Sequence, residues 1–146
     1  MGTRSTIALE YADGTVGQVY CHWDGYLEHN GQILLEHYSD PFKLHRLINC
    51  GDLSSLAPEV SPEPYTTHDF NEPQKGVCVF YGRDRGETGV SARNFANFAT
   101  YVREHQYQEY EYILRNIDGV ATWFVSSFDS GGEYELLTEK MASVAI

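Results

Sequence analysis

The stretch Thr6-Ile7-Ala8-Leu9-Glu10-Tyr11-Ala12-Asp13-Gly14-Thr15-Val16-Gly17-Gln18-Val19-Tyr20-Cys21 decides the fold. Alternating segments, Thr6 to Tyr11 and Val16 to Trp23, flank the turn residues Ala12-Asp13-Gly14, the pattern of a β-hairpin. Burial selects the register. A two-residue Asp-Gly loop would pair Ile7 with Tyr20 and Ala8 with Val19, mixing the faces. A three-residue loop with Gly14 left-handed pairs Ile7 with Val19, Ser5 with Cys21 and Leu9 with Gly17, which gathers the aliphatic side chains on one side. That register also sets Arg4 opposite His22, with Thr6 and Tyr20 beside them on the other face. A polar cluster emerges from pairing alone.

Downstream, Ile33, Leu34 and Tyr38 supply the buried stripe of a helix over residues 30–38. Ser39-Asp40-Pro41 starts a second helix carrying Leu44, Leu47 and Ile48, and Gly51 stops it. The two form a helical hairpin over the sheet. Residues 57–76, with Pro58, Pro62, Pro64 and Pro73, are an irregular excursion. Val77 to Tyr81 is nearly all apolar, as a central strand would be. Ser91 caps a helix from Ala92 to His105 with Phe95, Phe98, Ala99 and Val102 on one face. Tyr110 to Arg115 and Val120 to Ser127 form a second hairpin around Asp118-Gly119, pairing Leu114 with Trp123 and Tyr112 with Val125. The segment from Glu133 adds a strand and then frays. The order β-β-α-α-β-α-β-β predicts a single α+β domain over residues 1–146, a mostly antiparallel sheet with helices packed on one face.

The 146 residues, 42% hydrophobic and 21% charged, suit one soluble domain. No apolar run reaches the ~20 residues that span a bilayer, so the expectation is a cytoplasmic chain with no membrane partner. A net charge of -11 argues against direct nucleic-acid binding, which needs cations against phosphates. It leaves room for an acidic surface that imitates nucleic acid or complements a basic partner. Cys21, Cys50 and Cys78 lack metal-ligand spacing, and an odd number argues against a disulfide framework.

Two polar segments carry the candidate chemistry, each at the end of an apolar run. In Tyr81-Gly82-Arg83-Asp84-Arg85-Gly86-Glu87, two arginines alternate around an aspartate between glycines. On an extended chain they would point the same way and fork a phosphate or carboxylate. The competing reading is a salt-bridged loop. In Cys21-His22-Trp23-Asp24-Gly25-Tyr26, extension through residue 24 would put His22 and Asp24 on one face, as a general base and its orienter. The other histidines lack ligand spacing to His22, so no metal is expected. Alternation buries Trp23 and leaves Tyr20 and Tyr26 available, with Tyr81, to stack on a nucleobase.

These two segments, with Thr3-Arg4-Ser5-Thr6-Ile7, Leu34-Leu35-Glu36-His37-Tyr38 and Gly51-Asp52-Leu53-Ser54-Ser55-Leu56, make the chain resemble a family of small uncharacterised proteins. Those proteins are encoded by bacteriophages and by bacterial genomes carrying phage-derived DNA. The resemblance implies an intracellular accessory protein, in the host cell cytosol, acting against host defence or metabolism. It carries over no activity and does not reach past Glu133.

Three functional classes remain in view. First is a non-enzymatic protein that sequesters a small anionic, nucleotide-like ligand through Arg4, Tyr20, His22, Asp24, Tyr26, Tyr81, Arg83, Arg85 and Glu87, with no cofactor. Second is an acidic inhibitor of a basic host protein. Third is a small hydrolase or transferase using His22 with Asp24. Self-association into a homo-oligomer is compatible with each.

Overall fold

A computed structural model describes residues 3–105, 108–127, 130 and 133–138. Strands β1 (Ser5–Glu10) and β2 (Val16–Cys21) form the first hairpin, in the register Ile7 to Val19, Ser5 to Cys21 and Leu9 to Gly17. Gly14 takes φ +89°, the left-handed conformation that the three-residue loop requires. A π-helical turn (Leu27–Gly31) leads into α1 (Gln32–His37), and α2 (Pro41–Asn49) follows. The Asp40 carboxylate accepts from the Phe42 amide while Pro41 fills the first turn, a capping arrangement visible in the sequence.

Then come β3 (Leu53–Ser55), β4 (Val79–Phe80), α3 (Tyr81–Arg85), β5 (Arg93–Phe95) and α4 (Phe98–Glu104). The second hairpin, β6 (Tyr110–Ile117) and β7 (Val120–Ser127), pairs Leu114 with Trp123 and Tyr112 with Val125, and β8 (Glu135–Leu136) adds to β7. The expected fraying from residue 139 onward lies outside the described residues.

The sheet runs β4-β3-β2-β1-β6-β7-β8, with β5 also on β2. It is an α+β arrangement, but the sheet is mixed and the element order differs from expectation. β1 runs parallel to β6 and β2 parallel to β3. Two apolar runs, Ile7-Leu9 and Tyr112-Leu114, must share one buried face, and parallel docking of the two hairpins achieves this. Three further expectations are corrected. Residues Arg93–Phe95 are a strand, because the outer edge of β2 at Val16–Gln18 offers unpaired ladder groups there. Asn97, not Ser91, caps the shortened α4 by accepting from the Thr100 amide. β4 lies at the sheet's edge, not its centre.

Helices cover both faces, not one. On the first, α1 and α2 bury Leu34, Leu44, Leu47 and Ile48 against Ile7, Val19, Tyr112 and Trp123. On the second, α4 lays Tyr101 on Ala8, Val16 and Ile113. Tyr38 is fully buried and donates its hydroxyl to the Ala57 carbonyl at 2.7 Å. Among the described residues no helix is long and apolar enough to cross a membrane.

Candidate functional site

The first polar segment mostly serves packing. Beyond Cys21, the His22 and Trp23 amides donate to Leu53 and Ser54 carbonyls at 3.1 and 3.0 Å, extending the contact with β3. Asp24 then adopts φ +58° and turns the chain. Gly25 passes so close beneath β1 that a Cβ there would lie 2.6 Å from Ser5 Cβ. Only glycine fits. The Tyr112 hydroxyl donates to the Gly25 carbonyl at 2.7 Å and fixes the crossing.

Because extension fails at Asp24, the expected pair does not assemble: no hydrogen bond or ion pair among the described residues joins His22 to Asp24. Trp23 is 43% exposed instead of buried, its indole edge-on to the His22 ring. Tyr26 precedes the π-helical turn, its ring tilted over His29. Burial pushes the Cys21 thiol up to about 12, so it stays protonated and unreactive.

The second segment is also turned inward. Tyr81–Arg85 is helical, so Arg83 and Arg85 do not form an extended fork. Asp84, whose side chain is 3% exposed, accepts from the Phe80 amide (2.8 Å) and from Arg83 Nε (2.9 Å) and Nη2 (3.1 Å). Burial alone would raise the Asp84 pKa, but the Arg83 guanidinium, the Phe80 amide and His68 outweigh that and hold the carboxyl below its ordinary range.

Arg83 also donates to the Val60 and Cys78 carbonyls. His68 Nδ1 accepts from the Gln74 amide at 2.9 Å, which leaves the proton of the neutral ring on Nε2, facing Cys78 O and Asp84. Arg85 lies over the Phe70 ring and faces Glu87 at 3.5 Å, and Tyr81 stacks on Phe70. Here the salt-bridged reading prevails. Arg83, Asp84 and His68 pin the proline-rich excursion to α3.

Arg83 and Arg85 still border an open recess of about 560 Å³ with Asp69, Phe70 and Asp84. A second polar recess, of about 290 Å³ on the α4 face, is lined by Arg4, Thr6, Gln18, Tyr20, Asp52, Arg93 and Gln108. Its origin lies in the sheet. Along β2 the outer neighbour changes from β5, opposite Val16–Gln18, to β3, opposite Cys21. At this seam the Tyr20 amide lacks a strand partner, and the Asp52 carboxylate accepts it at 2.8 Å. Arg93 Nη2 donates to the same carboxylate at 2.6 Å.

Arg4, at the mouth, is exposed, and its guanidinium makes no hydrogen bond or ion pair among the described residues. Deeper in, Thr6 Oγ1 and Gln18 Nε2 are buried. Both side chains turn to the Tyr101 hydroxyl and favour its ionisation by hydrogen bonding, although the angles at Thr6 Oγ1 and Gln18 Nε2 fall short of good hydrogen-bond geometry.

The Tyr20 hydroxyl sits 2.8 Å from His22 Nδ1. Burial keeps the phenol protonated, against the pull of Arg4. That hydrogen bond occupies Nδ1 and leaves Nε2 as the ring nitrogen open to other contacts.

Of the expected site residues, Arg4 and Tyr20 line the recess, and His22 is tied to it through its hydrogen bond to Tyr20. Tyr81 is near enough to Tyr20 to influence its ionisation. Asp24, Tyr26, Arg83, Arg85 and Glu87 do not join them. Gln18, Asp52, Arg93 and Gln108 were missed. Gln18 had a legible signal, an amide on the face of β2 opposite the aliphatic one. Arg93 had none, since its placement depends on a strand hidden in a helix-like pattern. Among the described residues no cluster of histidine, cysteine and carboxylate side chains is arranged to hold a metal. The chain matches no protein-family model, no curated protein and no solved structure.

Proposed function

We propose that this protein binds a small anionic, nucleotide-like ligand in the recess at the β3–β5 seam and holds it without turnover. One observation carries the reading: an arginine whose guanidinium has no partner among the described residues stands at the mouth of a polar recess that the Thr6 hydroxyl and Gln18 amide help to line. Arg4 supplies the charge for an anion and Tyr20 an aromatic face. The separation of His22 from Asp24, where the chain turns at φ +58°, favours retention over general-base chemistry. The resemblance to phage-encoded proteins supplies a setting in which sequestering a host signal would serve counter-defence.

Thermal-shift measurement against nucleotides and inorganic phosphate tests the reading. A ligand at one hundred times its Kd should stabilise the fold by about 2.7 kcal/mol. Arg4→Ala, at an exposed position, should leave the unliganded melting temperature unchanged and abolish the shift. A panel without effect, together with salt-sensitive capture of a basic host protein, would replace this reading with the acidic inhibitor.

A further inference from the structure

The nucleotide reading can be taken one step further, because the recess fixes how much charge its occupant carries. Its lining has two arginines and one aspartate, a formal surplus of one positive charge. Arg93 is already committed to Asp52 at 2.6 Å, so the surplus resides on Arg4. Glu109 stands beside it, its carboxylate 3.4 Å from the Arg4 amide. Beneath the floor, His105 and Glu111 are paired at 2.7 Å and add no net charge while both are ionised. The chain as a whole carries -11. A second negative charge on the ligand would therefore meet acids, not cations.

Gln18 Nε2 sets the other requirement. With Thr6 and the Tyr101 hydroxyl to which both turn, it makes the inner end of the recess uncharged and hydrogen-bonding, where a neutral group belongs. The volume of about 290 Å³ is at the lower limit for small-molecule sites and holds one nucleoside unit, not two.

We infer that the ligand is a monoanionic nucleoside phosphate, a phosphodiester such as a 3′,5′-cyclic mononucleotide, with its phosphate on Arg4 and its base against Gln18 and Thr6. A phosphodiester holds one charge at neutral pH, whereas a 5′-monophosphate approaches two and a triphosphate more. This inference rests on the nucleotide reading above.

Isothermal titration of the purified protein against 3′,5′-cyclic AMP, 3′,5′-cyclic UMP, 5′-AMP, ATP, inorganic phosphate and benzoate provides the test. At least one cyclic nucleotide should bind about tenfold tighter than 5′-AMP, a step of one uncompensated charge. ATP, inorganic phosphate and benzoate should bind more weakly still. Gln18→Leu should weaken the cyclic nucleotide about tenfold while leaving the binding of inorganic phosphate unchanged, because it alters only the neutral end of the recess. ATP or 5′-AMP binding as tightly as the cyclic form overturns the charge argument but leaves the anion site standing. Gln18→Leu that changes stability and not affinity shows the amide to be a packing flaw and overturns the base assignment. No binding by any probe removes both. The selectivity series needs only the wild-type chain, so it decides the matter even if Gln18→Leu fails to fold.

Discussion

Replacing Asp84 with alanine tests the claim that the second polar segment is a structural hub. The carboxylate is the common acceptor for the Phe80 amide, two nitrogens of Arg83 and His68. Removing it leaves the Phe80 amide without that acceptor in a fully buried residue, which costs about 1–3 kcal/mol. Loss of the pairing with Arg83, whose side chain is 28% exposed and partly screened, adds about 1 kcal/mol.

The sum is about 3 kcal/mol, or roughly a 6–12 °C fall in melting temperature for a chain of this size. Scanning calorimetry at pH 7 would read it, and limited proteolysis should cut residues 57–76 sooner in the variant. The pH dependence has a definite sign. Asp84's folded pKa is depressed, so its contribution is present above the unfolded value of about 4 and disappears as pH falls through the folded value. The gap between wild type and variant should narrow on acidification. A fall below 1–2 °C at pH 7 (about 0.5 kcal/mol), or a gap unchanged between neutral and acid pH, would refute the hub.

Other expectations follow from single contacts. His105 is buried against Glu111 at 2.7 Å. Desolvation lowers its pKa, but the hydrogen bond and charge of Glu111 outweigh it and raise the net value. This contribution is full below the unfolded pKa of about 6.5 and is lost as pH rises through the folded one. Glu111→Gln should cost about 3 kcal/mol at pH 6 in urea unfolding and less above pH 8. Gly25→Ala must push a methyl against Ser5 and the Thr3 carbonyl, so about 1–3 kcal/mol should disappear from the same assay, with no rescue by ligand. Asp24→Gly should be neutral or stabilising by a few tenths of a kcal/mol, since Asp24 holds φ +58° without strand pairing.

Both hairpins were legible because each register had one solution that buried the aliphatic residues, and local turn chemistry agreed with it. Asp40-Pro41 and Gly51 were legible for the same reason: their conformational preferences act locally. What failed depended on partners distant in sequence. Phe95, Phe98 and Val102 have helical spacing, yet Phe95 belongs to a strand because β2 had an edge to fill. Arg83 and Arg85 looked like a ligand fork because sequence does not show that Asp84 points inward to collect Arg83 and two other partners. The recess was half visible: pairing placed Arg4, Thr6, Tyr20 and His22 together, whereas Asp52 and Arg93 arrive through long-range contacts.

The parallel docking of β1 on β6 also has a consequence for biosynthesis. Contacts such as Glu10 with Arg115 span 105 residues. At ribosomal elongation rates of about 5–20 residues per second, the strand at the heart of the sheet waits roughly 5 to 20 seconds for its partner to be made. Throughout that interval the first hairpin has one edge bare on the ribosome, exposed to mispairing and to chaperones. Rapid folding before synthesis is well advanced is not open to this topology, so its yield in the cell should depend on how that waiting hairpin is sheltered.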